Sequence, residues 1–193
     1  MTLAGRNIAM LVDNYVEQAE LEVPLRFLED NGAEVTIISS AEQDIQGLNG
    51  QEPGDIFQAD LLLDEADPSD YDALVIPGGV VNADKLRMVT KAREWVNDFM
   101  DNGKLIAAIC HAPWLLVSAD MVEGRRLTSY ASLQDDVRNA GGEWINQKVV
   151  IDNNLITSRQ PDDLDDFNKA ILAWLTTVYA ESEEEQESIL AIL

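Results

Sequence analysis

Four short apolar runs constrain this chain more than any other feature: NIAMLVD (7–13), EVTIIS (34–39), ALVIPGG (73–79, closing in a Pro-Gly-Gly turn) and KLIAAI (104–109). A strand with one face in water alternates apolar and polar residues, whereas these runs are apolar almost throughout. That is the pattern of strands covered on both faces, as in a parallel sheet. Between the first two, EQAELEVPLRFLEDNG (17–32) puts Leu21, Leu25 and Leu28 on one helical stripe closed by Gly32. The opening is therefore β-α-β, which requires parallel pairing and a right-handed crossover.

The later segments extend this frame. Residues 44–63, punctuated by Gly and Pro, predict an antiparallel excursion or hairpin outside the main sheet. DPSDYD is a turn, and TKAREWVNDFMDNG (90–103) predicts a helix. Beyond it the pattern gives a strand near 126–130, a helix near 132–140, a hairpin from EWINQKVVID to NLITS, and a long helix over 161–180. Pro161 and the carboxylates at 162–166 suit the first turns of that helix. At 193 residues and 46% hydrophobic content the chain has the apolar mass for one core, so one domain is expected over 1–180, with a tail (181–193) that turns from acidic to apolar.

Asp and Glu number 36 against 13 Lys and Arg, a formal charge of -23. That field repels nucleic acid and anionic membranes, and it fits either a saline cytoplasm or an ordinary acidic surface. No apolar run approaches the roughly 20 residues needed to cross a bilayer, and the start MTLAGRNIAMLVDN lacks the charged and apolar regions of a secretory signal. With a single cysteine there is no internal disulfide framework. A cytoplasmic location is expected.

The only cysteine and the only histidine are adjacent, Cys110 and His111, at the carboxyl end of the fourth apolar run and ahead of HAPWLLVSAD. Strand, sharp turn and helix make a nucleophile elbow, at the sheet edge where open α/β folds bind ligands. A thiol at a helix N-terminus is expected to have a lowered pKa. The alternative is a small buried apolar residue. Consecutive helical residues point about 100° apart, so direct contact between Cys110 and His111 needs a distorted turn; otherwise the histidine only caps or packs. One Cys and one His cannot supply the usual zinc ligands, so no metal is expected, and no phosphate-binding loop appears.

AAICHAPWLL, with ALVIPGG, VEQAELEVPLRFLEDNGAEV, RRLTSYASLQDDVRNAGGEWI and LITSRQPDDL in matching order, resembles the PfpI family of the class I glutamine amidotransferase-like superfamily over roughly residues 6–179. The resemblance implies a flavodoxin-like three-layer α/β sandwich with a mostly parallel central sheet, a nucleophilic Cys110 and a homodimer or larger homo-oligomer. It implies no cofactor. It places the glutamate whose carboxyl group meets the sulfur at Glu17, which otherwise reads as an acid in the first turn of a helix. Such a carboxyl group beside a thiolate is expected to stay protonated.

The resemblance further makes the amides of Gly78, Gly79 and His111 candidates for an oxyanion hole, against an ordinary strand-ending turn. It offers Asp84 of a neighbouring subunit as the acid that orients His111, against a plain helix-start carboxylate. Where the usual motif reads Cys-His-Gly-Pro this chain has Ala112, whose methyl group either narrows the pocket or merely packs. The implied activity is that of a glyoxalase or deglycase acting on small electrophilic carbonyl compounds. The alternatives are an intracellular peptidase acting on peptides and a redox-sensing stress or chaperone protein. The apolar end of the tail, Ile189, Leu190, Ile192 and Leu193, is expected to pack on its own subunit or on a neighbour.

Overall fold

The structure, a computed structural model, describes residues 2–190, with side chains through Thr177. Its first half contains β1 (Asn7–Val12), β2 (Val16–Glu17), α1 (Gln18–Asp30), β3 (Glu34–Ser39), β4 (Asp44–Asn49), β5 (Glu52–Gln58), β6 (Leu61–Leu62), β7 (Ala73–Ile76), α2 (Val80–Met88) and α3 (Thr90–Asp101). The second half contains β8 (Leu105–Ile109), α4 (Pro113–Ser118), β9 (Arg126–Leu127), α5 (Gln134–Asn139), β10 (Glu143–Trp144), β11 (Val149–Asp152), β12 (Leu155–Ser158) and α6 (Leu164–Leu190).

The main sheet runs β11-β12-β8-β7-β1-β3-β6. Every neighbouring pair is parallel except the β11-β12 hairpin at the edge. Successive residues of β8 show why its sequence had to be apolar throughout. Ile106 and Ala108 enter a core with Trp95 and Phe99 of α3 and Leu115 and Leu116 of α4, while Leu105, Ala107 and Ile109 enter a second core with Leu21 and Leu28 of α1 and Phe167, Ile171 and Leu175 of α6. Because alternate side chains supply opposite cores, neither set can be polar. Two helical layers thus enclose the sheet in the expected flavodoxin-like sandwich.

The expected excursion is present as a small second sheet, β2-β4-β5, in which β4 and β5 form an antiparallel hairpin and β2 lies parallel to β4. Its last residues depart from expectation, since Leu61 and Leu62 return to the main sheet beside Ile38 and Ser39. Glu143 and Trp144 also lie outside the expected hairpin and pair in parallel with Arg126 and Leu127. The hairpin turns tightly between Asp152 and Leu155 through Asn153, whose φ of 54° lies in the left-handed region that asparagine tolerates. A short 3-10 turn at Pro161–Asp163 precedes α6. Of the apolar tail, Ile192 and Leu193 lie outside the described residues, as do the side chains of Ile189 and Leu190.

Candidate active site

The carboxyl ends of β1, β7 and β8 meet beneath the β4-β5 hairpin, and a pocket of about 570 Å³ opens there. Cys110 lies immediately after β8 with φ 63°, a conformation that costs a non-glycine residue of the order of 1–3 kcal/mol. Strand β12 and the loop after β9 hold it in place: the Cys110 N–H donates to the Ser158 carbonyl at 3.0 Å, and the Cys110 carbonyl accepts from the Tyr130 N–H at 2.7 Å. Residues 110–112 thus form a turn between strand and helix, and the helical separation of consecutive side chains does not apply. His111 Nδ1 lies 3.1 Å from Cys110 Sγ.

The imidazole is fixed on its other sides. It stacks on Tyr130 with ring centroids 4.7 Å apart, meets the Trp114 ring edge-on at 5.4 Å, and its Nε2 lies 3.3 Å from Ser132 Oγ. Burial moves its pKa below the usual histidine range, so the ring is neutral at neutral pH and has one lone pair to accept a proton. Asp84 stands on the exposed face of α2; within the subunit, it is Ser132 that meets the outer nitrogen of the ring.

The carboxyl group at the sulfur is that of Glu20, which corrects the expectation for Glu17. Glu20 lies in the first turn of α1, is fully buried, and is in hydrogen-bonding contact with the Cys110 side chain. Its Oε2 accepts the Gly78 N–H at 3.0 Å, while Oε1 has no hydrogen-bond partner of its own. Burial raises its pKa to about 8, against a lowering by Cys110 and a further rise from the charge of Glu17. The carboxyl group therefore keeps its proton at neutral pH. Glu17, one helical turn earlier, lines the pocket near its mouth, where its oxygens accept the Gly50 N–H at 3.2 and 3.4 Å.

The expected fall in the thiol pKa is also corrected. Cys110 is 6% exposed, and burial pushes its thiol above the ordinary range, with the nearby Glu20 acting in the same direction. Since Glu20 is neutral near pH 7, burial is the cause that persists there. The amides of Gly79 and His111 oppose it by donating toward the sulfur. Of the three amides considered for an oxyanion hole, Gly78 is thus committed to Glu20, while those of Gly79 and His111 face the Cys110 sulfur.

The Pro-Gly-Gly turn is held from behind by Asn82, a residue that composition alone did not single out. Its side-chain amide donates to the carbonyls of Pro77 and Gly78, both at 2.9 Å, and its Oδ1 accepts the Asp13 N–H at 2.6 Å. Among the described residues no group of three His, Cys, Asp or Glu side chains is placed to hold a metal ion, and no helix is long and apolar enough to cross a membrane.

The chain has relatives in sequence and in fold. Residues 6–174 match the DJ-1/PfpI family. The chain is similar to the deglycase PfpI of Pyrococcus furiosus, 41% identical over 157 residues that cover 81% of this chain and 92% of that protein. A deglycase of Thermococcus kodakarensis is 40% identical over 148 residues, covering 77% of this chain and 86% of its own. Among solved structures, a two-domain protein of Anabaena variabilis with DJ-1/ThiJ/PfpI-like and ferritin-like domains superposes with a TM-score of 0.83 at 37% identity over 89% of this chain. The chain spans about half, 48%, of that protein's length. A cysteine-to-alanine mutant of a DJ-1 superfamily protein of Salmonella typhimurium superposes with a TM-score of 0.81 at 27% identity, covering 95% of this chain and 97% of that one.

Proposed function

This chain belongs to the DJ-1/PfpI family, and on that premise we propose that it is a cysteine enzyme acting on small electrophilic carbonyl compounds, in the manner of a glyoxalase or deglycase. The observation that carries the reading is the placement of one thiol, in one pocket, between a neutral imidazole 3.1 Å away and a protonated carboxyl group. A buried thiol with a raised pKa is a poor nucleophile alone, so a base must take its proton during attack. His111 Nδ1 is within reach and uncharged.

With methylglyoxal, Sγ forms a bond to the aldehyde carbon as the C=O π electrons move to oxygen. The thiol proton passes to Nδ1, and the new alkoxide takes the proton of Glu20. The resulting Glu20 carboxylate removes the hydrogen from the sulfur-bearing carbon and returns it to the adjacent carbon. The oxygen-bound proton moves the same way, from the former aldehyde oxygen to the neighbouring oxygen, leaving a 2-hydroxyacyl thioester, and the proton held by His111 restores the Glu20 carboxyl group. Water hydrolyses this to lactate and the free thiol, so the sequence needs no oxidant, reductant or cofactor. The Gly79 and His111 amides supply donors where negative oxygen develops.

Purified protein is expected to consume methylglyoxal without added thiol or metal, and Cys110→Ala to lower the rate at least 100-fold. Equal rates in the two proteins would overturn the reading. The close contact between Sγ and Nδ1 also suits a peptidase, in which Cys110 is acylated and His111 protonates the leaving amine. That reading needs a neighbouring subunit to bring Asp84 to a ring whose outer nitrogen already meets Ser132. Cleavage of unmodified peptides in the same comparison would favour it.

A further inference from the structure

Glu17 carries the fixed charge at the pocket mouth. Its carboxylate is held by the Gly50 N–H at the tip of the β4-β5 hairpin, and the exposed rings of Tyr15 and Tyr130 also line the pocket, at 44% and 41% exposure. No lysine or arginine is among the lining residues. Lys85 lies over the Tyr15 ring at 5.5 Å, but its ammonium group is bound to Asp13 at 3.0 Å. Deeper in the pocket, Glu20 Oε1 is buried without a partner, and because Oε2 accepts the Gly78 N–H, the proton of the neutral carboxyl group lies on Oε1 and can be donated to a ligand acceptor.

A carboxylate beside aromatic faces stabilises an ammonium or guanidinium group, through the charge and through the negative faces of the rings. An anionic ligand there would meet the Glu17 carboxylate and no compensating cation. We propose that Glu17 selects the ligands of this pocket by charge, taking up a cationic group at the mouth while the electrophilic atom meets Cys110 Sγ, and turning anionic electrophiles away. This rests on Cys110 being the reacting group, as in the proposed function, but it does not require that the electrophile be a carbonyl compound.

The chain's single cysteine makes a direct test available. Two methanethiosulfonates of equal length, one ending in trimethylammonium and the other in sulfonate, each react with a thiolate to give a mixed disulfide and release a sulfinate. The rate of mass gain at Cys110 is measured for both, and their ratio is divided by the same ratio for N-acetylcysteine. Glu17→Gln keeps an oxygen to accept the Gly50 N–H and removes only the charge.

In low salt the normalised cation-to-anion ratio of the wild type is expected to be well above one and to fall about tenfold in Glu17→Gln. Asp101→Asn, which removes an exposed charge from the end of α3, is expected to leave it within about twofold. An unchanged ratio in Glu17→Gln overturns the proposal. So does an equal fall in Asp101→Asn, which would assign the selection to the overall charge. The labelling does not use carbonyl chemistry, so a protein inert to methylglyoxal but with a Glu17-dependent ratio would overturn the proposed function and sustain the charge selection.

Discussion

The stability of the wild-type protein is expected to fall as pH rises from about 4.5 to about 8, and Glu20→Gln is expected to remove a large part of that fall. The carboxyl pKa is raised from an ordinary 4.5 to about 8 in the folded protein. Between those values the folded state holds a proton that the unfolded state has released. Stability decreases with pH wherever the native state binds more protons. The contribution of Glu20 is therefore complete below pH 4.5 and lost as pH rises through 8. Its slope is about 1.4 kcal/mol per pH unit, or on the order of 4–5 kcal/mol over the window.

Glutamine keeps the acceptor for the Gly78 N–H but has no proton to lose. The repulsion among the many surface carboxylates is common to both proteins and cancels in the difference. Urea unfolding at five pH values between 4.5 and 8.5 measures the effect. The two stability curves should converge or cross with a relative slope near that figure, and parallel curves would show that Glu20 is not the buried acid described here. The same variant should lose most of its activity toward methylglyoxal, because an amide can neither protonate the alkoxide nor accept the carbon-bound proton.

Glu17 and Glu20 also show what the sequence could and could not convey. Both lie within YVEQAEL, and family resemblance alone does not say which carboxyl group reaches the sulfur. Helical geometry does distinguish them. Glu20, Leu21, Pro24 and Leu28 form the buried side of α1, so Glu20 is an acid on an apolar stripe, while Glu17 precedes the helix. An unpaired acid on a buried stripe is costly, and that cost is the signal that marks a functional carboxyl group.

The strands were legible because burial on both faces leaves no room for polar residues. The α2 helix was not, because its buried side carries Asn82 beside Ala83 and Leu86, and a polar residue that serves to hold a turn looks like surface. The contact of Cys110 with His111 was hidden for a different reason. It depends on the sign of a backbone angle, and a cysteine gives no hint that its φ is positive. The lowered thiol pKa was inferred from the helix behind it, but α4 is only six residues long, and burial of the sulfur outweighs it.

Gly78→Ala is expected to be strongly destabilising for the addition of a single methyl group. A Cβ at this position would lie 2.4 Å from Glu20 Oε2, 2.6 Å from Cys110 Cβ and 2.7 Å from the Ile109 carbonyl oxygen. Two of these three are tied down: Ile109 O is backbone at the end of the central strand, and Cys110 Cβ sits on the strained residue clamped by Ser158 and Tyr130. Only the Glu20 carboxyl can move, and doing so breaks its bond from the Gly78 N–H and disturbs its contact with the sulfur. Overpacking of this kind typically costs about 1–3 kcal/mol, and with the lost hydrogen bond to a buried acid a total of about 3–5 kcal/mol is expected.

Gly103→Ala is the matched comparison. It has a φ of +67° but no atom within 4 Å of its added Cβ, so it incurs only backbone strain, about 1 kcal/mol. Thermal unfolding should then place Gly78→Ala roughly 10 °C or more below wild type and Gly103→Ala within about 4 °C of it. The reactivity of Cys110 toward an alkylating agent should change in the first variant alone. If the two variants melt together, the close approach of the Pro-Gly-Gly turn to the sulfur is not what makes glycine necessary at position 78.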